Sequence, residues 1–432
     1  MDRRDFFKLC SVAGLGVASS QLPGTIIDAS AQTSFDKFVV FVNAGGGWDH
    51  SLVGDPKGNV VNSQGFVINE GFAPGEIGQA GNLTYAPVGN IPEFLNDFYQ
   101  YMTVINGIDC ETNGHDTGQL NTWSGRLQQQ TPCLAALIAA VHGGVKPLSF
   151  ITNGGYDSTQ GVPVAKTRLG GNPGQLFPLI YPNTINPGDL SDIESRETYH
   201  SAQTFERIMK TRQERLKVMT DTQNLPRLKR SMDLLYTSRV GMADLKKIVE
   251  FLPDPIGNGM TAQANVALAA WAAGLCQTAT MSTGGFDTHG PNTDQNQADR
   301  TTTLFNGVRA LLTRAEELNM LDKLLVVVGS EFGRTPAYND QGGKDHWSVG
   351  EVIVIDPSGD IAPGNRLIGA TDDVGRYRKI NPQSLQVGDT GIGLKYSHIH
   401  KWLRKVTGIA DSELVKLFPL RVEEDVDLSQ PV

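Results

Sequence analysis

The side chains best suited to grip a divalent cation lie in four glycine-rich stretches of this sequence. Asp49 and His50 follow Gly45-Gly46-Gly47-Trp48, and His115-Asp116-Thr117-Gly118 precedes Thr122-Trp123-Ser124-Gly125-Arg126. Asp287 and His289 share the loop Gly284-Gly285-Phe286-Asp287-Thr288-His289-Gly290. Ser330-Glu331-Phe332-Gly333-Arg334-Thr335-Pro336 is followed by Gly342-Gly343-Lys344-Asp345-His346-Trp347. Carboxylates are hard oxygen donors and imidazoles are borderline nitrogen donors. A mixed set suits zinc, or manganese with further oxygen ligands, whereas calcium takes oxygen alone. The expected metal ligands are therefore Asp49, His115, Asp287, His289, Glu331, Asp345 and His346, around one or two divalent ions (zinc, manganese or calcium).

Three further residues are expected to do chemistry. Thr117 is the candidate nucleophile, with a helix cap as its plainer role. Arg126 and Arg334 each offer a planar fork to an anionic oxygen. Plainer roles stand beside the others too. Asp49 suits a turn or cap, Asp287 and His289 suit an ordinary loop, and Arg334 suits an ion pair with Glu331.

These clusters need elements to position them. Phe38-Val-Val-Phe-Val42 is a continuous apolar run closed by glycines, the pattern of a strand buried on both faces. Thr103–Ile105, Leu148–Thr152, Leu324–Val328 and Val352–Ile355 read the same way, and helical spacing falls between them at Ala135–Val141, Ala262–Leu275 and Arg300–Leu318. Strands alternating with helices predict an α/β fold with a mostly parallel central sheet flanked by helices. Polar groups placed directly after such strands would gather at the carboxyl edge of the sheet, where open α/β sheets bind ligands. Residues 201–251 form a different block, rich in Arg, Lys, Glu, Leu and Met, with Phe205, Ile208, Met209, Arg212 and Leu216 on one helical face. They read as a helical insertion packed over the main domain. The stretch from Asp55 to Pro92 reads as a long excursion with little regular structure.

The chain has 37 Lys+Arg against 46 Asp+Glu, a net charge of −9, which argues against a nucleic-acid partner. An acidic balance does not exclude an anionic ester, because a bound metal inverts the local field. The first residues carry Arg3-Arg4, a mild apolar stretch from Leu9 to Ser19, and Ala29-Ser30-Ala31 as a cleavage site. That layout predicts a twin-arginine signal peptide over 1–31, engagement of the twin-arginine translocase, and a mature chain 32–432 in the periplasm or outside the cell. No run of 18 apolar residues occurs, so no stable membrane span is expected. Cys110, Cys133 and Cys276 allow one disulfide or three buried thiols.

Taken together, Gly45–Asp49, His115–Arg126, Phe286–His289, Ser330–Thr335, Asp345–Trp347 and His400–Ile409 resemble the twin-arginine-exported family called domain of unknown function 1501. That family is placed in the alkaline phosphatase-like superfamily with sulfatases and phosphoglycerate mutases. The resemblance runs from about Phe38 to about Ile409. It implies an alkaline phosphatase-like α/β sandwich as a single domain, with the helical insertion at about 201–251. It also implies a metal site acting on phosphate or sulfate esters, of small molecules or polymers. On this reading Thr117 or water attacks while Arg126 and Arg334 hold the anion. The alternative is a non-catalytic periplasmic binding protein on a degenerate scaffold. Phe332 supports it, standing where better-known relatives place a histidine, as does the lack of a distinctive nucleophile motif after the second strand.

Overall fold

The computed structural model describes residues 35–430 except 145, 170–172, 189–192, 226–227, 230–231, 234 and 237–240. The expected signal segment 1–31, with Arg3, Arg4 and Cys10, lies outside the described residues.

The apolar runs become the centre of a nine-stranded mixed sheet. Its strands are β1 (Phe38–Gly45), β2 (Met102–Asp109), β3 (Phe150–Thr152), β4 (Lys166–Arg168) and β5 (Thr278–Gly284), then β6 (Leu324–Gly329), β7 (Val349–Ile355), β8 (Arg366–Ile368) and β9 (Leu394–Lys395). The order across the sheet is β8-β2-β7-β6-β1-β5-β3-β4, with β9 pairing the end of β2. All pairings are parallel except those of β7, which runs antiparallel to both β2 and β6. The expected mostly parallel sheet is therefore present. β5 had no counterpart in the sequence reading, because Thr-Ala-Thr-Met-Ser-Thr-Gly carries too many hydroxyls to read as an apolar run.

Alternation along β1 divides the core, since successive side chains of a strand face opposite sides. Val40 and Val42 pack on one side with Ala264, Leu268, Phe305 and Leu311. Those residues come from α5 (Gly259–Ala272) and α6 (Thr293–Glu317). Val39 and Phe41 pack on the other side with Ala136, Ile138, Ile399 and Trp402. Those come from α3 (Leu134–His142) and α7 (Tyr396–Val406). Each fully buried Val, Leu or Ile contributes about 1.5–3 kcal/mol relative to exposure, so this two-sided core is what makes the sheet edge a rigid base.

Among the described residues, the remaining long helices are α1 (Ile91–Phe98), α2 (His115–Ser124) and α4 (Ala202–Thr222). Helix α4 is capped by Ser201, whose Oγ accepts from Thr204 N at 3.3 Å. It lies within the expected 201–251 insertion. On α4, Phe205, Ile208, Met209 and Leu216 are half-buried, Arg212 is exposed, and Thr220 is the one buried residue. The 55–92 excursion is largely irregular, with a small sheet of Val53–Gly54, Leu83–Tyr85 and Gly78–Ala80. No helix among the described residues is long and apolar enough to cross a membrane. Cys110, Cys133 and Cys276 are free and buried, and burial pushes the Cys133 and Cys276 thiols up to about 12.

The topology explains why the four clusters meet. β1, β5 and β6 are parallel neighbours, so the loops that follow Gly45, Gly284 and Gly329 leave the same edge of the sheet. β2 runs in the same direction, because two antiparallel pairings through β7 separate it from β6. The His115 segment after β2 therefore leaves that edge too. β7 enters the sheet there, immediately after His346 and Trp347.

Candidate metal centre

Four side chains converge at this edge: His115, Asp287, His289 and His346. One donor atom from each of His115, Asp287 and His346 lies within 4.8 Å of the others. His289 joins them, with its Nε2 2.9 Å from Asp287 Oδ1 and 2.9 Å from His346 Nε2. His346 Nε2 is 3.0 Å from Asp287 Oδ1, and His115 Nε2 is 3.4 Å from Asp287 Oδ2.

The opposite ring nitrogens decide how these atoms are protonated. His346 Nδ1 is 2.7 Å from the carbonyl oxygen of Asn113, which can only accept, so Nδ1 carries the proton. His115 Nδ1 donates to Glu331 Oε1 at 3.0 Å, and His289 Nδ1 donates to Asp345 Oδ1 at 2.8 Å. A neutral imidazole has one N–H, and in all three rings it points away from the cluster. Three bare Nε2 lone pairs and a carboxylate then face one another at contact distance. With neutral rings such an arrangement is repulsive on its own, and a positive charge relieves it, whether a bound ion or a ring proton facing Asp287. A histidine whose Nδ1–H is held by a carboxylate or carbonyl is the usual support of a metal-bound Nε2. The residues present therefore fit a divalent ion with affinity for nitrogen ligands.

Local structure sets each arm. His115 is the first residue of α2, after the extended Gly114. Thr112 Oγ1 accepts from Gly114 N at 3.2 Å and shapes the turn into that helix. Asp287 and His289 lie just past β5, where Gly285 at φ +94° makes the turn in a conformation that L side chains rarely adopt. His346 pairs with Arg334 in a short antiparallel ladder. Phe332 is buried beneath the imidazoles, its ring 4.4 Å from His346 and 5.1 Å from His115 between centroids. The cluster itself is open, with side-chain exposures of 38% for His115, 46% for Asp287 and 42% for His289.

Burial works against ionisation of Asp287, but the hydrogen bond from Arg334 and the positive charge of that guanidinium hold this carboxyl well below its usual range. Asp345 is also lowered, first by its hydrogen bond from His289 and then by Asn339. Both carboxylates stay charged and ready to face a cation or a ring N–H.

The expected ligands divide into groups. His115, Asp287, His289 and His346 meet. Glu331 and Asp345 stand behind them and engage the far nitrogens of His115 and His289. Glu331, 1% exposed, also accepts from Gly46 N at 2.7 Å. Asp49 is not brought to the cluster. It is buried, its Oδ2 accepts from Lys344 Nζ at 2.6 Å, and its Oδ1 accepts from Ser51 N and Oγ. Burial raises the Asp49 pKa, yet the Lys344 charge, the neighbouring His50 and the hydrogen bonds from Lys344 and Ser51 together outweigh it, and the net shift is downward.

The expected catalytic residues are likewise redistributed. Arg334 is not available as an anion clamp. Its Nε donates to Gly47 O, one terminal nitrogen donates to Lys344 O, and the other donates to Gly46 O and to Asp287 Oδ1. Its ion pair is with Asp287, not the anticipated Glu331. Arg126 follows the last turn of α2, whereas His115 starts it. Ten helical residues at about 1.5 Å each put roughly 15 Å between them, so Arg126 is not part of the cluster. Its guanidinium donates instead to Gln128. Thr117 is in the first turn of α2 but does not cap it, because the N-cap is Gly114. The sequence reading overlooked Asn113 and Asn339. Asn339 Nδ2 donates to His289 O and to Asp345 Oδ1, at 3.1 and 2.9 Å. A backbone carbonyl such as that of Asn113 leaves no residue-type signal.

A family model described as a protein of unknown function, DUF1501, matches residues 36–387. No curated protein matches the chain. Among solved structures, one similar chain is a protein in the alkaline phosphatase superfamily from Vibrio parahaemolyticus, at 9% identity, TM-score 0.32, covering 100% of this chain and 79% of that one. Another is the phosphonate monoester hydrolase of Agrobacterium radiobacter, at 11% identity, TM-score 0.33, covering 86% and 74%. A third is the PsFucS1 sulfatase from Pseudoalteromonas sp., at 10% identity, TM-score 0.30, covering 87% and 70%. At these scores the likenesses do not bear on what this chain does.

Proposed function

The chain belongs to the DUF1501 family of proteins of unknown function, and we propose that it is an exported metal-dependent hydrolase of phosphate or sulfate esters. One observation carries the reading: three imidazoles present bare Nε2 atoms to one another and to Asp287, with every Nδ1–H engaged from behind. His115, Asp287, His289 and His346 would hold the ion. When bound, a divalent ion of this kind supplies Lewis-acid polarisation to an ester oxygen. The rest falls to the chain. Arg334 keeps Asp287 ionised and in place. Glu331 and Asp345 fix two imidazoles in the tautomer that exposes Nε2. The first backbone N–H groups of α2, which lack intrahelical partners, lie beside His115 and favour an anionic group. Thr117, in the same turn as His115, is the proposed nucleophile.

The test is hydrolysis of p-nitrophenyl phosphate and p-nitrophenyl sulfate by tag-free protein purified from the periplasm. The double variant Asp287→Ala/His289→Ala is assayed in parallel. The expected result is ion-dependent turnover that the double variant loses while keeping its circular dichroism. Turnover retained in that variant contradicts the proposal. Absence of both ion and turnover in the wild type favours the binding-protein reading. Purification of the mature chain from the periplasm also tests the proposed export.

A further inference from the structure

Asp345 and His346 stand on the rising arm of the 333–347 hairpin, and the residue before them is Lys344. Lys344 is 1% exposed, yet it is a lysine at the base of an open site. Its Nζ donates to Asp49 Oδ2 at 2.6 Å, and Asp49 is itself buried. Its backbone is held as firmly. Lys344 N donates to Thr288 O, between Asp287 and His289, and Lys344 O accepts from Arg334. Asp49 is anchored in turn. Its N–H donates to Gln297 Oε1 at 3.0 Å, and Gln297 Nε2 donates to Phe286 O and Thr288 Oγ1. Gly343 fits directly against the His289 carbonyl, where an added Cβ would sit 2.1 Å from it. Every arm of the cluster except His115 is thus tied to one buried ion pair.

Desolvating two charges costs enough that a well-packed apolar pair would be at least as stable there, so the pair is not explained by stability alone. What it provides is direction and register, since a short ion pair between Asp49 and Lys344 admits one placement of the following two residues. We infer that the Asp49–Lys344 ion pair is a buried latch that sets Asp345 and His346 against Asp287 and His289, so that the ion-binding geometry exists only when the latch is closed. Asp49 and Lys344 are positioning residues and touch no ion. The inference rests on the proposed metal site.

The experiment measures zinc affinity by competition with a chelator, in the full chain and in Asp49→Asn/Lys344→Met. That variant leaves no buried charge unpaired and nearly conserves volume, so it is expected to fold. The expected result is native circular dichroism with zinc affinity weakened about 10- to 100-fold, the range typical of lost outer-shell support. Affinity within twofold of wild type in the folded variant overturns the latch and leaves the metal site standing. A wild-type chain that binds no zinc overturns both. A second measurement needs no variant. Hydrogen exchange should slow on zinc addition in a peptide spanning 48–53, which holds Asp49 and none of the four proposed ligands. Unchanged exchange there, with slowing at 286–290 and 344–348, overturns the latch.

Discussion

His289 and His346 place their Nε2 atoms 2.9 Å apart while their Nδ1 atoms bond to Asp345 and to the carbonyl of Asn113. Two neutral rings held in that way cannot hydrogen-bond to each other, because neither has a proton left for the shared face. A cation between them, with Asp287 and His115 completing the set, reconciles the geometry.

Removing either ring should therefore remove most of the affinity. His289→Ala and His346→Ala are each expected to weaken zinc binding by more than the roughly 10- to 100-fold typical of outer-shell changes. Isothermal titration checks this. A variant with unchanged affinity would remove that ring from the ligand set.

The residues behind the rings should show the smaller effect. Glu331→Gln and Asp345→Asn keep shape but weaken the acceptor for an imidazole N–H, and about 10- to 100-fold loss of zinc affinity is expected for each. Equal or greater loss than in the ring variants would make Glu331 and Asp345 direct ligands after all.

Arg126 and Arg334 should behave oppositely. Arg126→Ala is expected to leave zinc affinity unchanged, because the length of α2 separates it from His115. Arg334→Met leaves Asp287 without its cation and three backbone carbonyls without their donor. Loss of one member of a buried pair costs about 3–5 kcal/mol, and the partial exposure of Asp287 places this case toward the lower end. Isothermal titration of the Arg126 variant with zinc and urea denaturation of the Arg334 variant test the two expectations.

Legibility in the sequence tracked the strength of local signals. The apolar runs Phe38–Val42, Leu324–Val328 and Val352–Ile355 announced central strands, because burial on both faces removes alternation. Their glycine-closed ends announced where the chemistry gathers, and His115, Asp287, His289 and His346 all stand among the residues singled out by side-chain type, by their place after strands or in glycine-rich loops, and by the family resemblance. The division of labour was not legible. Whether Glu331 faces an ion or an imidazole depends on a contact with His115 across 216 positions. Asp49 was read as a ligand because nothing local reveals that Lys344, far along the chain, lies against it. Strand β5 was missed because hydroxyls that look polar in sequence are satisfied inside, as Thr278 Oγ1 is by Ala135 O and Thr280 Oγ1 by Gly154 O.

One pH effect lies away from the cluster. His400 is buried, its Nε2 donates to Thr122 O at 2.8 Å, and burial pushes its pKa down to about 3. The unfolded chain binds a proton there below about 6.5, while the folded chain resists until about 3. The unfolded state thus holds more protons in that window, so stability rises with pH across it and is complete above about 6.5. His400→Gln, which keeps an N–H donor, should flatten the dependence of Tm on pH between about 3 and 6.5. An unchanged slope would assign the acid sensitivity elsewhere.

The most direct test of the central claim is elemental analysis of tag-free protein purified from the periplasm, alongside Asp287→Ala/His289→Ala. One equivalent of a nitrogen-preferring divalent metal such as zinc in the wild type, lost in the folded double variant, is the predicted result. A wild-type chain that carries no such metal, and takes none up when zinc is added, would contradict it.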